Sequence, residues 1–148
     1  MTEAATQLAP IRIRSAREAD VPLIIDLMAP YVERRLLLPR DEHEVRTLLR
    51  HGFVAESGGN FVGFAAVEIY SRKLAEVQCL AVAGHWHRKG VGRQLVKACI
   101  ERARELKILE LMAITSSEEL FMSCGFDYAL PGQKKAVFIH TRDDHGRE

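Results

Sequence analysis

The residues with most capacity for chemistry are Leu80-Ala81-Val82 and the following His87-Arg88-Lys89-Gly90-Val91-Gly92-Arg93. An apolar, strand-like run feeds a basic, glycine-containing loop that opens directly into a helical apolar stripe. The first turn of a helix carries unpaired backbone N–H groups at the positive end of its dipole. Glycines let a pyrophosphate approach that backbone closely, so the segment is a ready anion site. Residues 85–107 hold seven Lys/Arg and two Glu, a local charge of +5 in a chain whose overall formal charge is +1. The plainer alternative is a glycine turn beside a solvated basic face, and the order strand, loop, helix favours the anion site. The loop lacks the GxxxxGK[ST] spacing of a P-loop and the third glycine of a dinucleotide fingerprint.

Other reactive side chains carry less. Cys79, Cys99 and Cys124 are 20 and 25 positions apart with no CxxC, so they read as reduced, mostly buried thiols. The six histidines form no HxxxH or HExxH pattern, and no metal site is expected. Trp86 reads as a packing residue beside the loop, with stacking on a base as the minority reading. The basic helix lacks the interleaved aromatics of a nucleic-acid platform.

These residues must be positioned by the surrounding elements. Ile11–Ser15 alternates as a strand. Asp20 is expected to cap a helix with Pro22 in its first turn and Ile24, Leu27 and Met28 at helical spacing. Pro30 and Leu36–Pro39 disturb or end it. Asp41 and Glu44 form a capping-box pattern for a second helix to about Arg50, ended by Gly52. Phe53–Glu56, the turn at 57–60 and Phe61–Tyr70 signal a β-hairpin. A turn near Ser71–Lys73 leads into a strand at Leu74–Val82. A helix follows Gly90 and Gly92, with Val91, Leu95, Cys99, Ala103 and Leu106 on one stripe. Ile108–Thr115 reads as a strand parallel to its predecessor. Ser116 and Glu119 predict a capping box for a short helix stopping at Gly125, and strands near Phe126–Leu130 and Lys135–Thr141 finish the chain. The order β-α-α-β-β-β-α-β-α-β-β defines an α/β domain with a mixed sheet and helices on both faces.

Composition limits the class. The 148 residues suit one domain spanning 1–148, with 1–9 and 143–148 expected to be frayed. Hydrophobic residues at 47% and charged residues at 28% exclude a disordered or disulfide-dense chain. The near balance of 21 basic and 20 acidic residues argues against a polyanion binder. The start lacks the build of a signal peptide, and no run is long enough to span a bilayer. A cytoplasmic protein without nucleic-acid or membrane partners is expected, with a homodimer left open.

The loop His87–Gly92 resembles the coenzyme A loop of the GNAT superfamily of N-acetyltransferases, [Q/R]xxGxG/A, with His87 where Gln or Arg is usual. The element order is also that superfamily's, over about residues 11–142. The resemblance implies acetyl-CoA as co-substrate and no metal. It implies that Leu80, Ala81 and Val82 pair with the pantetheine arm like an added strand. Arg88, Lys89, Gly90, Val91, Gly92 and Arg93 would hold the pyrophosphate. Glu76 matches the strand glutamate that many such enzymes use as a base, since an attacking amine must be neutral. By strand alternation Gln78 and Leu80 would share its face. The tyrosine that usually protonates the departing thiolate is replaced by Phe121. Ser116, Thr115 or Ser117 would stand in, or the thiolate would leave unaided.

Further stretches are similar to the acetyltransferase domain of N-acetylglutamate synthases: Leu36–Arg40, Ala75-Glu76-Val77, and Pro131–Lys135 followed by Arg142. By position, Arg40 and Arg142 match arginines that hold glutamate's carboxylates there, and a guanidinium is the natural bidentate partner of a carboxylate. Phe138 and Ile139 stand where that subfamily usually has Tyr and Asn. The amino-acid-kinase domain of the long form is not in this sequence, which implies a stand-alone module. The expected function is direct acetyl transfer to a small amino acid, glutamate first, with no covalent enzyme intermediate. A non-catalytic acyl-CoA sensor and acetylation of a protein N-terminus or lysine remain as alternatives.

Overall fold

The structure, a computed structural model, describes residues 9–128, 137–139 and 141. Among these residues five strands form one sheet in the order β1 (Ile11–Ser15), β2 (Gly52–Ser57), β3 (Asn60–Ile69), β4 (Leu74–Val82), β5 (Glu110–Met112). The first four are antiparallel neighbours and β4–β5 is parallel. Among the described residues four α-helices cover the sheet: α1 (Val21–Glu33), α2 (Glu42–Leu48), α3 (Val91–Glu105) and α4 (Glu118–Ser123). The mixed α/β architecture expected from the sequence is therefore present.

The sheet has a core on each face. Phe53, Ala55, Ala65, Val67, Ala75 and Val77 pack with Val91, Leu95, Val96 and Cys99 of α3. Val54, Phe64 and Ala66 pack on the other face with Val21, Ile24 and Met28 of α1 and Val45 and Leu48 of α2. Gly63 lets α3 lie close to β3. A Cβ at that position would fall 2.9 Å from Leu95 Cδ1 and 3.0 Å from Val91 Cγ1.

Local differences from the sequence reading have physical causes. Asp20 stands at the start of α1 without capping it. Its carboxylate instead takes both terminal nitrogens of Arg14 at 2.8 Å and the Arg17 N–H at 2.7 Å. That ion pair holds the Asp20 carboxyl below its ordinary range. Helix α1 runs past Pro30 to Glu33. The Asp41–Glu44 capping box forms as expected, but α2 ends at Leu48 and a tight turn, Leu49–His51, leads into β2. The Ser116–Glu119 box does not form: Ser117 precedes α4, and its N–H is taken by Thr115 Oγ1 at 2.7 Å. Strand β5 is three residues long rather than eight, because it separates from β4 after Met112. The apolar run that suggested a longer strand leaves Ile114 64% exposed.

Residues 126–128 and 137–139 are not in strands, and the rest of the two expected C-terminal strands lies outside the described residues. The expected frayed ends also lie outside them, apart from Ala9, whose carbonyl accepts from Ser57 Oγ at 2.8 Å.

Candidate active site

Strand β4 carries the feature on which the site depends. Ala66 faces Gln78 and Phe64 faces Ala81, so the single residue Ala65 lies opposite both Cys79 and Leu80. This is a β-bulge, with Cys79 at φ +60°. It reverses the alternation of the strand. Before it, Ala75 and Val77 face α3; after it, Cys79 and Ala81 face α1 and α2 while Leu80 and Val82 turn toward α3. The expectation that Leu80 shares a face with Glu76 is therefore corrected, because simple alternation fails at an extra residue.

Beyond the bulge, β4 and β5 diverge. They pair only over Leu74–Glu76 with Glu110–Met112, so among the described residues β4 from Val77 onward has no neighbouring strand on that side. A cleft of about 330 Å³ opens beside it, lined by Leu80, Ala81 and Val82, by Arg88, Gly90, Val91, Gly92 and Arg93, and by Tyr31, Trp86, His87, Ser117 and Leu120. The expected strand residues and the expected loop residues thus meet in one cleft. Lys89 belongs to the same loop but is not among those lining residues.

The loop conformation explains its glycines. Gly90 precedes α3 at φ +86°, where any side chain is strained whatever the space around it. Arg88 is also left-handed at φ +64°. At Gly92 the constraint is proximity, since a Cβ would lie 3.2 Å from Leu120 Cδ2. The start of α3, with its unpaired N–H groups, thus faces the cleft without a side-chain cap.

At the same place Val82 is held by two side chains. Tyr31 donates its O–H to the Val82 carbonyl at 2.6 Å, and His87 Nε2 lies 3.0 Å from that oxygen and 2.7 Å from the Tyr31 hydroxyl. Sequence reasoning missed Tyr31, which lies 51 residues from Val82 and has no motif of its own.

On the other side of the bulge, Glu76 is 9% exposed and accepts from Tyr70 Oη at 2.5 Å. The Tyr70 hydroxyl accepts from Gln78 Nε2 at 3.3 Å, and Gln78 Oε1 accepts from Arg40 at 2.8 Å. Arg40 and Glu76, expected from separate segments, therefore belong to one connected group. Tyr70 is half exposed, and its hydroxyl end lies against Glu76. Burial of that end and the Glu76 carboxylate push the phenol up to about 12.

Ser117, rather than Ser116, lines the cleft. Phe121 is buried and stacks edge-to-face on Phe126 with ring centroids 5.1 Å apart, so this position belongs to the core. Burial pushes Cys79 up to about 11 and Cys99 up to about 12, which leaves both as thiols near neutral pH. Arg142 lies outside the described residues. Among the described residues no cluster of three His, Cys, Asp or Glu could hold a metal, and no helix is long and apolar enough to cross a membrane.

A bulged, diverging strand beside a glycine-opened helix defines a class of protein that the sequence comparison identifies. The profile of the acetyltransferase (GNAT) family matches residues 21–126, and the chain belongs to that family. It is accordingly an acetyl-CoA-dependent N-acetyltransferase. Among its relatives is the amino-acid acetyltransferase of Neisseria meningitidis serogroup A, 31% identical over 121 residues. The match covers 80% of this chain but 28% of that one, so this chain spans under a third of that relative. The structure of Rv2747 from Mycobacterium tuberculosis in complex with CoA is similar at TM-score 0.76 and 26% identity, over 84% of this chain and 76% of the other. N-acetylglutamate synthase from Neisseria gonorrhoeae, complexed with coenzyme A and N-acetyl-glutamate, is similar at TM-score 0.75 and 30% identity, over 83% of this chain and 30% of that one.

Proposed function

We propose that this enzyme transfers the acetyl group of acetyl-CoA directly to the amine of a small amino acid, with glutamate the first candidate. The observation that carries the reading is the connection between Arg40 and Glu76 through Gln78 and Tyr70. A group suited to a carboxylate and a carboxylate suited to an amine proton sit on one network beside the bulge.

In this reading the pyrophosphate of the co-substrate rests on the amides and side chains of Arg88–Arg93. Its pantetheine arm pairs with Leu80–Val82, replacing the bonds that Tyr31 and His87 make to Val82. Backbone N–H groups of that stretch polarise the thioester carbonyl. The neutral amine attacks the carbonyl carbon, the C–S bond breaks, and Glu76 takes the proton from nitrogen. The thiolate takes a proton from Ser116 or its neighbour Ser117, or leaves unaided. Arg40 holds one acceptor carboxylate, and Arg142 is proposed to hold the second.

The test is a panel of acceptors: the twenty amino acids, polyamines and an N-terminal peptide, with release of free coenzyme A as the readout. Glutamate is expected to lead. Glutamine should lag because its side-chain amide is neutral, and aspartate because it is one methylene shorter. Equal rates for glutamate, glutamine and alanine would reject the dicarboxylate reading, and a preference for the peptide would replace it.

A further inference from the structure

The hydrogen bonds around Glu76 have a direction that can be worked out from donor chemistry. A guanidinium only donates, so the Gln78 atom facing Arg40 must be its amide oxygen. The Gln78 amide nitrogen is then the group facing Tyr70, and the Tyr70 oxygen accepts from it. Tyr70 has one proton left to place, and its partner at 2.5 Å is Glu76 Oε1. All three bonds therefore point from Arg40 toward Glu76. The members come from the segment before α2, the residue just after β3 and the first half of β4 up to its centre.

We propose that Tyr70 is a positioning residue for Glu76, and that Gln78 couples it to Arg40, so that carboxylate recognition and amine deprotonation share one hydrogen-bonded chain. The proposal rests on the reading of Glu76 as base. The phenol occupies Oε1 and fixes the carboxylate, leaving Oε2 to receive the amine proton. A phenol donates more strongly to an ionised carboxylate than to a protonated acid, and with Glu68 opposite Glu76 on β3 the loss of that donor is read out in the pH dependence of the reaction. Arg40 contributes one N–H to Gln78 and retains its others for an acceptor carboxylate. Neither Tyr70 nor Gln78 needs to touch the acceptor to affect its rate.

The test compares the pH dependence of kcat/KM for wild type, Tyr70→Phe, Gln78→Met, Glu76→Gln and the Tyr70→Phe/Glu76→Gln double variant. Tyr70→Phe is expected to lower kcat about tenfold, the scale of one lost hydrogen bond to a charge. It should also move the acidic limb of the profile to higher pH, while the stabilisation of the fold by acetyl-CoA is unchanged. Adding Tyr70→Phe to Glu76→Gln should cost nothing further. Gln78→Met should move the limb the same way by less and raise the acceptor KM.

An unmoved limb in Tyr70→Phe, or an equal loss from Tyr70→Phe with and without the Glu76 carboxylate, overturns the coupling but leaves Glu76 as base. Wild-type turnover in Glu76→Gln overturns both. Should Tyr70→Phe fail to fold, Gln78→Met decides by the same limb: a shift supports the chain of bonds and no shift rejects it.

Discussion

In the proposed cofactor site, Leu80 to Arg93 are nearly contiguous in sequence and offer mainly backbone: a strand edge with no partner strand among the described residues and the open start of α3. In the proposed acceptor group, Arg40, Tyr70, Glu76 and Gln78 meet through side chains from three separate segments. Backbone recognition tolerates changes of residue type provided the chain can take the required path. Side-chain recognition fails when one functional group is removed. The two ends should therefore respond differently to mutation, and substitutions that spare one and damage the other measure how separate they are.

The largest effect is expected at the acceptor end. Glu76→Gln should lower turnover about 10²–10⁴-fold, the range for general acid–base catalysis, and flatten the acidic limb of the rate profile. Acetyl-CoA binding, followed as a rise in Tm, should be unchanged. Loss of the Tm shift along with turnover would show that the two ends are not separate.

Arg40→Ala should raise the glutamate KM by about 10- to 150-fold, equivalent to roughly 1.5–3 kcal/mol for a hydrogen bond to a charged group. The KM for acetyl-CoA should stay within about twofold, the size of an effect away from the binding contacts. Steady-state kinetics with each substrate varied in turn checks both halves of the statement. The same experiment on Arg142→Ala tests the proposed second carboxylate partner, and an unchanged glutamate KM would remove that residue from the site.

The cofactor end is tested through conformation rather than charge. Gly90→Val places a β-branched residue at φ +86°, a strain of about 1–3 kcal/mol. Calorimetric titration should show acetyl-CoA affinity falling roughly 5- to 150-fold, the same range expressed as binding. Gly90→Asn should recover part of the loss, because Asn tolerates left-handed backbone better. Equal affinity for valine, asparagine and glycine variants would show that the loop does not hold the phosphates.

The smallest effect is expected at Tyr31. Its bond to the Val82 carbonyl must yield if a pantetheine arm pairs with β4. Tyr31→Phe should therefore bind acetyl-CoA tighter by about two- to tenfold, the worth of one neutral hydrogen bond. Weaker binding in that variant would mean the phenol itself contacts the cofactor, sharpening the map of this end.

The local order of the chain already contained much of the fold. Alternation marked β1, turn residues marked β2 to β4, Asp41 and Glu44 marked the start of α2, and the stripe from Val91 to Ala103 marked α3. These signals are local, so they could be read without tertiary information. The glycine loop that opens α3 was legible for the same reason, as its glycines and its helix are neighbours in sequence. Glu76 and Arg40 were reached only through resemblance to a known family, since neither has a local pattern that sets it apart from a surface charge.

Other features were decided by packing at long range. Asp20 had the right type and position for a cap, but Arg14 on β1 offered a charged, bidentate partner and won it. Strand β5 was shortened because its apolar run diverges from β4. The bulge at Cys79 is set by the pairing of β3 with β4, and no glycine or proline announces it. That bulge reverses the faces of β4, separating Glu76 and Gln78 from Leu80 and Val82. The sequence by itself determined the first four strands, the capping box of α2 and the glycine opening of α3, because helix starts, turns and strand signals are short-range. Which side chains meet across the bulge was decided only by tertiary structure, because register is a property of two strands and cannot be read from either one alone.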